Sequence, residues 1–268
     1  MASRGAMQKT SNMNKLLILL LLLCLQACAY KTNKAIAESG NQSDPQSHAP
    51  QKYSVPSLDP GLHQSPINIF TNRTKKEMNH DHFVVHFQDK VTAVENLGHT
   101  IQLDFNAGST ITIKDKTYTF KQMHFHTPSE HLIDGMTFPM ELHIVSATEN
   151  SVTPDYLVIA VLFKMGEENQ FINEFINLTP SLPYSKTFVK DNSIKLNDLL
   201  SLSPTGDLGH HYHYTGSLTT APYTETVDWF VLKKIYQASP EQIKKINTIE
   251  GNNARHIEPK NDRLVDDE

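Results

Sequence analysis

Short runs of alternating or β-branched apolar residues fill the chain from Gln64 onward: Phe83–Phe87, Thr100–Phe105, Thr110–Ile113, Thr117–His126, Glu141–Thr148 and Tyr156–Phe163. Side chains two apart share a face of a strand, so these runs predict strands buried on one or both faces. Gly, Asn, Asp or Pro separates them, which predicts turns. Two segments keep a helical period instead. Asn169–Leu178 sets Phe171, Ile172, Phe175 and Ile176 on one face and stops before Pro180. Ser239-Pro240-Glu241-Gln242 is a capping box with proline at the first helical position, opening a short helix to about Ile249. The pattern therefore predicts a mainly β (mixed α+β) domain with short peripheral helices, and it contains no internal repeat.

Ahead of that domain the pattern changes twice. Leu16–Leu25 is a nearly unbroken apolar run preceded by Lys9 and Lys15. At about ten residues it suits the core of a signal peptide and is too short to span a bilayer. It ends in Leu25-Gln26-Ala27-Cys28, which resembles the lipobox of bacterial lipoproteins. That resemblance implies cleavage before Cys28 and a diacylglycerol on its sulfur; a cleaved signal with an incidental cysteine is the alternative. Two or three acyl chains would anchor the product stably, where one would not. Ala29–Pro56 is rich in Lys, Asn, Ser, Gln and Pro without a hydrophobic period, as in a flexible tether. The expected layout is a signal peptide over residues 1–28, a tether over 29–56 and one domain over 57–268. The expected location is outside the cytoplasm, on the periplasmic side of a bacterial membrane and held there by lipid.

Composition narrows the chemistry. With 268 residues, 38% of them hydrophobic, the chain can bury one substantial core. A net charge of -5 gives no electrostatic reason to expect a nucleic-acid partner. The only cysteines, Cys24 and Cys28, lie in the leader, so the domain can form neither a disulfide nor a cysteine-based zinc site. A transition metal there must be held by carboxylates or by some of the 14 histidines.

One arrangement of histidines is suited to that task. His124 and His126 share a strand face, with Met123 and Phe125 pointing the other way. Glu141-Leu142-His143 repeats the geometry on the next predicted strand. If the two strands pair antiparallel through the Thr127–Pro139 connection, three imidazoles converge. Three neutral nitrogen ligands leave zinc a fourth position for water, the catalytic arrangement. Gln122 and Glu141 can accept the free ring N–H groups and fix the tautomers. A His-x-His pair by itself is more often a packed or surface pair, and the second strand brings the metal reading level with that one without settling the choice.

The flanking motifs do more. Gln64-Ser65-Pro66-Ile67-Asn68-Ile69, Asn96-Leu97-Gly98-His99, Gln122-Met123-His124-Phe125-His126 with Ser129-Glu130-His131, Glu141-Leu142-His143, and Gly216-Ser217-Leu218-Thr219-Thr220 resemble the alpha carbonic anhydrases, in that family's order. Asn253-x-Arg255 and Asn261-x-Arg263 resemble its C-terminal signature. The resemblance covers roughly Gln64 to Arg263. It implies a single domain around a large, twisted, mostly antiparallel central sheet. It further implies Zn2+ on His124, His126 and His143, and reversible hydration of carbon dioxide to bicarbonate and a proton. Thr219 would accept a hydrogen bond from the nucleophile and donate its own to buried Glu130. Thr220 would line the polar side, and Val145, Val158, Leu218 and Trp229 the apolar wall where carbon dioxide waits. His99 would carry protons, Tyr214 would sit near the solvent network, and His131 would be a satisfied core group.

Three features depart from the family. The aromatic, Gly-rich segment expected before Gln64 is short and polar, with Tyr53 as the one candidate to replace its tyrosine. Tyr223 stands near a position where secreted members carry a cysteine. Ala221 replaces the first proline of the Thr-Thr-Pro-Pro run, which predicts a softer Thr219 loop. His210, His211 and His213 interleave with Tyr212 and Tyr214 and read as a solvated loop rather than a second metal site. Two rivals stay in view. A cupin would use Glu130 as a ligand, but Lys116-Thr117-Tyr118-Thr119 lacks the expected glycine. A non-enzymatic carbonic-anhydrase-like surface binding protein typically loses a zinc histidine, and all three are present.

Overall fold

Period-two apolar alternation governs how the strands are used, and the central ones are apolar on both faces. The computed structural model describes residues 61–76, 83–149 and 151–268. The segments expected to be a signal peptide and a tether, with Cys28 and Tyr53, lie outside the described residues. The strands of the first half are β1 (Asn68–Ile69), β2 (Lys75–Lys76), β3 (Val84–His86), β4 (Val91–Asn96), β5 (Ile101–Phe105), β6 (Thr110–Ile113), β7 (Lys116–His126), β8 (Leu132–Ile133) and β9 (Met140–Ala147). They are followed by β10 (Tyr156–Met165), β11 (Ser185–Phe188), β12 (His211–Gly216), β13 (Val227–Leu232), β14 (Tyr236–Ala238) and β15 (Asp266–Asp267). Helices α1 (Gln170–Ile176) and α2 (Pro240–Glu250) lie between strands.

The main path of the large sheet runs β11-β4-β5-β7-β9-β10-β13-β12-β15-β2. Pairing is antiparallel from β11 through β10 and parallel between β10 and β13. A parallel pair needs a long crossover, and the chain between β10 and β13 supplies it, with α1 on the way. The sheet is therefore mixed and mostly antiparallel.

Alternation divides each central strand between two cores. On β10, Leu157, Ile159, Val161 and Phe163 join one cluster, while Val158, Ala160 and Leu162 join the other. Phe171, Ile172 and Phe175 of α1 and Ile243 and Ile246 of α2 belong to the first cluster, so the helices cover that face of the sheet. β7 obeys the rule with one correction to its parity. A bulge between Phe120 and Gln122 lets Phe120, Met123 and Phe125 all face the helices. Gln122, His124 and His126 are left together on the opposite face.

The capping box opens α2 as its residues predict, with Ser239 accepting from Gln242 N and the Gln242 side chain reaching back. Asn169 caps α1 rather than joining it. The reading of residues 210–213 as a solvated loop holds for His210, which is exposed outside the strands, and is overturned at His211 and His213. His211 starts β12, pairs through that strand with both β13 and β15, and is fully buried, while His213 is partly buried and stacks on Phe230. Apolar neighbours on β13 outweigh the polarity of the imidazoles there.

One buried group on this scaffold pays no structural dividend. Ser146 lies on the helix-side face of β9, opposite Leu157 and Phe120, fully buried and with its hydroxyl unpartnered. An unsatisfied buried hydroxyl costs about 1–3 kcal/mol. Ser146→Ala is therefore expected to raise the thermal midpoint by about 2–4 °C, the shift that about 1 kcal/mol produces in a domain of this size. A lower midpoint would mean that the hydroxyl has a partner in solution.

Candidate metal centre

β7 and β9 bring the three histidines together by register. His124 pairs opposite His143, and His126 opposite Glu141. Ring centroids lie 5.0 Å apart for His124–His126, 5.3 Å for His124–His143 and 4.5 Å for His126–His143. One nitrogen from each lies within 4.8 Å of the others, close enough to share an ion.

Their surroundings prepare the nitrogens as donors. His124 Nδ1–H donates to Gln122 Oε1 at 2.9 Å, which turns Nε2 toward the common centre. His143 Nε2–H donates to Glu141 Oε1 at 2.7 Å, which leaves Nδ1 for that centre. His126 is buried with neither ring nitrogen hydrogen-bonded, an orphan that an ion would satisfy. Burial, reinforced by His143, pushes His124 down to about 3, and burial likewise holds His126 well below its usual value. His143 is lowered too, chiefly by burial and against the pull of Glu141. Neutral imidazoles with free lone pairs are the ligand set zinc takes in catalytic sites, so the residues fit the metal.

Glu141 organises the second layer. Oε1 also accepts His131 Nδ1 at 2.6 Å, and Oε2 accepts the Glu130 and His131 backbone N–H groups at 2.8 Å. Burial alone would raise its pKa, yet its electrostatic interactions and hydrogen bonds with the His131 and His143 rings hold it well below the usual carboxylate range. The chain continues from His131 Nε2 to Tyr214 Oη at 2.6 Å and from Tyr214 to Ser65 Oγ at 3.0 Å. His131 is thus a satisfied core group.

Glu130 sits behind the centre, with Oε1 and Oε2 at 3.6 Å and 3.9 Å from His126 Nδ1 and His143 Nδ1. Burial and Glu141 push its carboxyl up to about 8, against the Arg255 N–H and the Thr219 hydroxyl. Arg255 N donates to Oε1 at 2.8 Å. Thr219 is buried beside it, although Oε2 has no partner at full hydrogen-bond geometry. Trp229 packs 4.9 Å from His143, centroid to centroid, and donates Nε1–H to Ser217 O at 3.1 Å. Val145 and Val158 are buried in the same cluster, and Leu218 packs against it half-buried. All four expected wall residues are therefore on the histidine side of the sheet.

A cavity of about 250 Å³ opens beside the histidine cluster, lined by Leu97, His99, Gln102, Gln122, Thr220 and Asn253 with His124 and His126 on its wall, while His143, Thr219 and the four expected apolar-wall residues do not line it. His99 is exposed at the rim, in the turn between β4 and β5, with Nδ1–H donating to Leu97 O at 3.1 Å and Nε2 left over. Gly98 takes φ 81° in this turn, a left-handed conformation natural to glycine. Asn253 and Glu250 were not assigned roles from the sequence, yet both grip this turn. Asn253 had the Asn-x-Arg motif as a signal; Glu250, ending a helix, had none.

Comparison with known proteins agrees with this geometry. Residues 46–267 match the family model for eukaryotic-type carbonic anhydrase. The carbonic anhydrase of Neisseria gonorrhoeae is 38% identical over 210 residues, covering 76% of this chain and 77% of that protein. The structure of Photobacterium profundum alpha-carbonic anhydrase superposes with a TM-score of 0.68 at 34% identity, over 77% of this chain and 90% of that one. An alpha-carbonic anhydrase from Thermovibrio ammonificans, solved with the inhibitor sulfanilamide, gives 0.68 at 32% identity, over 76% and 86%.

The Gln122–His124 contact has a measurable consequence. Partners of ligating histidines typically contribute 10–100-fold to metal affinity. Gln122→Ala is expected to weaken zinc binding by about ten-fold, read by competition with a chromophoric chelator. Unchanged affinity would remove Gln122 from the set of groups that orient the ligands.

Proposed function

We propose that this chain, which belongs to the eukaryotic-type (alpha) carbonic anhydrase family, interconverts carbon dioxide and bicarbonate through one zinc ion held by His124, His126 and His143. The observation that carries the metal reading is the convergence of three neutral imidazoles, His126 and His143 buried and His124 half-buried, two with a fixed tautomer and the third with no other partner. Members of this family are zinc enzymes. When bound, zinc supplies Lewis acidity, which makes water a nucleophile near neutral pH.

The protein's own groups divide the remaining work. Gln122 and Glu141 hold the ligand rings in one tautomer and orientation. The Thr219 hydroxyl accepts a hydrogen bond from the nucleophile and directs its own proton to Glu130, so only an attacking group that carries a proton is well received. Val145, Val158, Leu218 and Trp229 offer carbon dioxide an apolar surface with no competing donors, which keeps it loosely bound and close to attack. Thr220 faces the polar side of the cavity. After bicarbonate leaves, a proton must reach bulk solvent, and the His99 imidazole at the cavity rim is placed to relay it.

We infer the location from residues outside the described structure. Cys28 after an apolar leader supports export and lipid attachment, with the tether setting the domain off from the membrane.

Purified protein is expected to bind one zinc per domain and to hydrate carbon dioxide, with sulfanilamide inhibiting. His143→Asn should lose metal and activity together. His99→Ala should keep its zinc and its interconversion rate at chemical equilibrium, while steady-state hydration in dilute buffer falls roughly ten-fold and imidazole restores it. Full hydration by a metal-free preparation would sink the assignment.

The location has its own test. Mass spectrometry of the mature N-terminus should find acylated Cys28 in the detergent phase, and Cys28→Ala should move the protein to the aqueous phase. An unmodified cut at another residue with a soluble product argues for a simple exported enzyme.

A further inference from the structure

The carboxyl of Glu250 sits where physical chemistry disfavours it. It is 6% exposed, and it ends α2, where the helix dipole repels an anion. Burial pushes its pKa up to about 8. Among the described residues Oε2 has no hydrogen-bond partner. A buried carboxyl with half its capacity unused weakens a fold, so what its other oxygen does is informative.

Oε1 accepts Ile101 N–H at 2.8 Å and lies 3.2 Å from Thr100 Oγ1. Both donors border His99, at the point where the turn enters β5. The Thr100 hydroxyl has one proton and a second acceptor, Phe125 O at 2.8 Å, on the strand that carries His124 and His126. Asn253, three residues beyond Glu250, donates from Nδ2 to His99 O at 2.8 Å and to Phe125 O at 3.1 Å. The C-terminal end of α2 thus grips the His99 turn from below and ties it to β7. On the other side the turn has Asn96 Oδ1 accepting Gly98 N–H at 2.8 Å. The His99 side chain itself is held only by Leu97 O, so its place at the cavity rim depends on how firmly the backbone beneath it is held.

We propose that Glu250 is a positioning residue for proton transfer: by accepting the Ile101 N–H and facing the Thr100 hydroxyl, it holds the turn so that His99 stays at the rim of the metal cavity. The proposal rests on His99 being the proton relay. Glu250 touches neither substrate nor the metal histidines. Its loss therefore affects the step in which the proton leaves, and the interconversion of carbon dioxide and bicarbonate is spared.

The test compares Glu250→Ala, Glu250→Gln, His99→Ala and the double variant His99→Ala/Glu250→Ala in the zinc-loaded enzyme. In dilute buffer Glu250→Ala should lower kcat roughly three-fold or more, since modest displacement of a reacting group is costly. kcat/KM should hold, and added imidazole should restore the rate. Glu250→Gln keeps the Oε1 acceptor and should retain most of kcat. The double variant should be no slower than His99→Ala. Independently of activity, amide exchange at Ile101 should accelerate in Glu250→Ala and stay slow in Glu250→Gln. Should Glu250→Ala not fold, Thr100→Val, which removes the hydroxyl contact with Glu250 together with the bond to Phe125 O, is held to the same kinetic pattern. Normal kcat in Glu250→Ala beside a slowed His99→Ala overturns the positioning role. So does a parallel fall of kcat and kcat/KM, or a double variant slower than His99→Ala. A His99→Ala enzyme that turns over normally instead overturns the relay reading, and the positioning role with it.

Discussion

Four N–H donors converge on one buried carboxylate, Glu141, and the metal centre depends on that convergence. Two come from the backbone of Glu130 and His131, one from the His131 ring and one from the His143 ring. A carboxylate taken out of water is expensive unless its lone pairs are filled, and here they are. Filling them also places other groups. The two backbone bonds fold the Glu130–His131 segment against β9, which sets Glu130 behind the three histidines. The ring bond from His143 leaves Nδ1 facing the centre. The orientation of the His143 ring and the position of Glu130 are thus consequences of satisfying one charge.

The sheet makes that arrangement affordable. Its helix-covered face is apolar from β5 through β13 and supplies most of the buried hydrophobic surface. The opposite face carries the histidines, Glu130, Glu141, Tyr214 and a smaller apolar cluster around Trp229. A strand buried on both sides can commit one face to stability and the other to chemistry, and β9 does so: Leu142 and Ile144 face the helices while Glu141, His143 and Val145 face the site. The bulge in β7 serves the same division. Without it Phe120, an even-numbered position like Gln122 and His124, would fall on the histidine face instead of joining Met123 and Phe125 against the helices.

This division explains what was legible in the sequence. His124-Phe125-His126 and Glu141-Leu142-His143 could be read because both motifs obey period two and their apolar alternates mark the opposite face. α2 could be read because Ser239 and Gln242 form a local cap. β12 was misread because its face toward β13 is lined by imidazole and phenol groups, and polarity without context resembles exposure. β4 and β13 carry ordinary strand residues but were passed over, since Val91–Asn96 and Val227–Leu232 lack a sharp alternation. Glu250 was invisible for a different reason. Its importance comes from contacts 149 and 150 residues away in sequence, and a charged residue at a helix end is ordinarily solvated.

The missing disulfide is instructive in the same terms. A secreted relative would join the start of the domain to the loop after Thr219 covalently, and this domain has no cysteine to do so. Arg255 occupies the gap instead. Its guanidinium lies 4.0 Å over the Tyr223 ring, donates to Gln64 Oε1 at 2.9 Å and to Ser65 O at 2.7 Å, and pairs with Glu258 at 3.1 Å. Gln64 Nε2 closes the circuit by donating to Tyr223 O at 3.1 Å. The two segments such a disulfide would join, the Gln64–Ser65 stretch and the Tyr223 loop, are therefore both held by one planar cation, which suits both a stacked ring and several acceptors. Because the backbone N–H of the same residue ends on Glu130, the clamp also fixes the buried carboxylate beside Thr219. A disulfide stabilises chiefly by restricting the unfolded chain, whereas this clamp acts only in the folded state. Its loss would disturb the Thr219 loop and Glu130 together, linking the stability of the loop to the geometry of the site in a way a distant covalent staple does not.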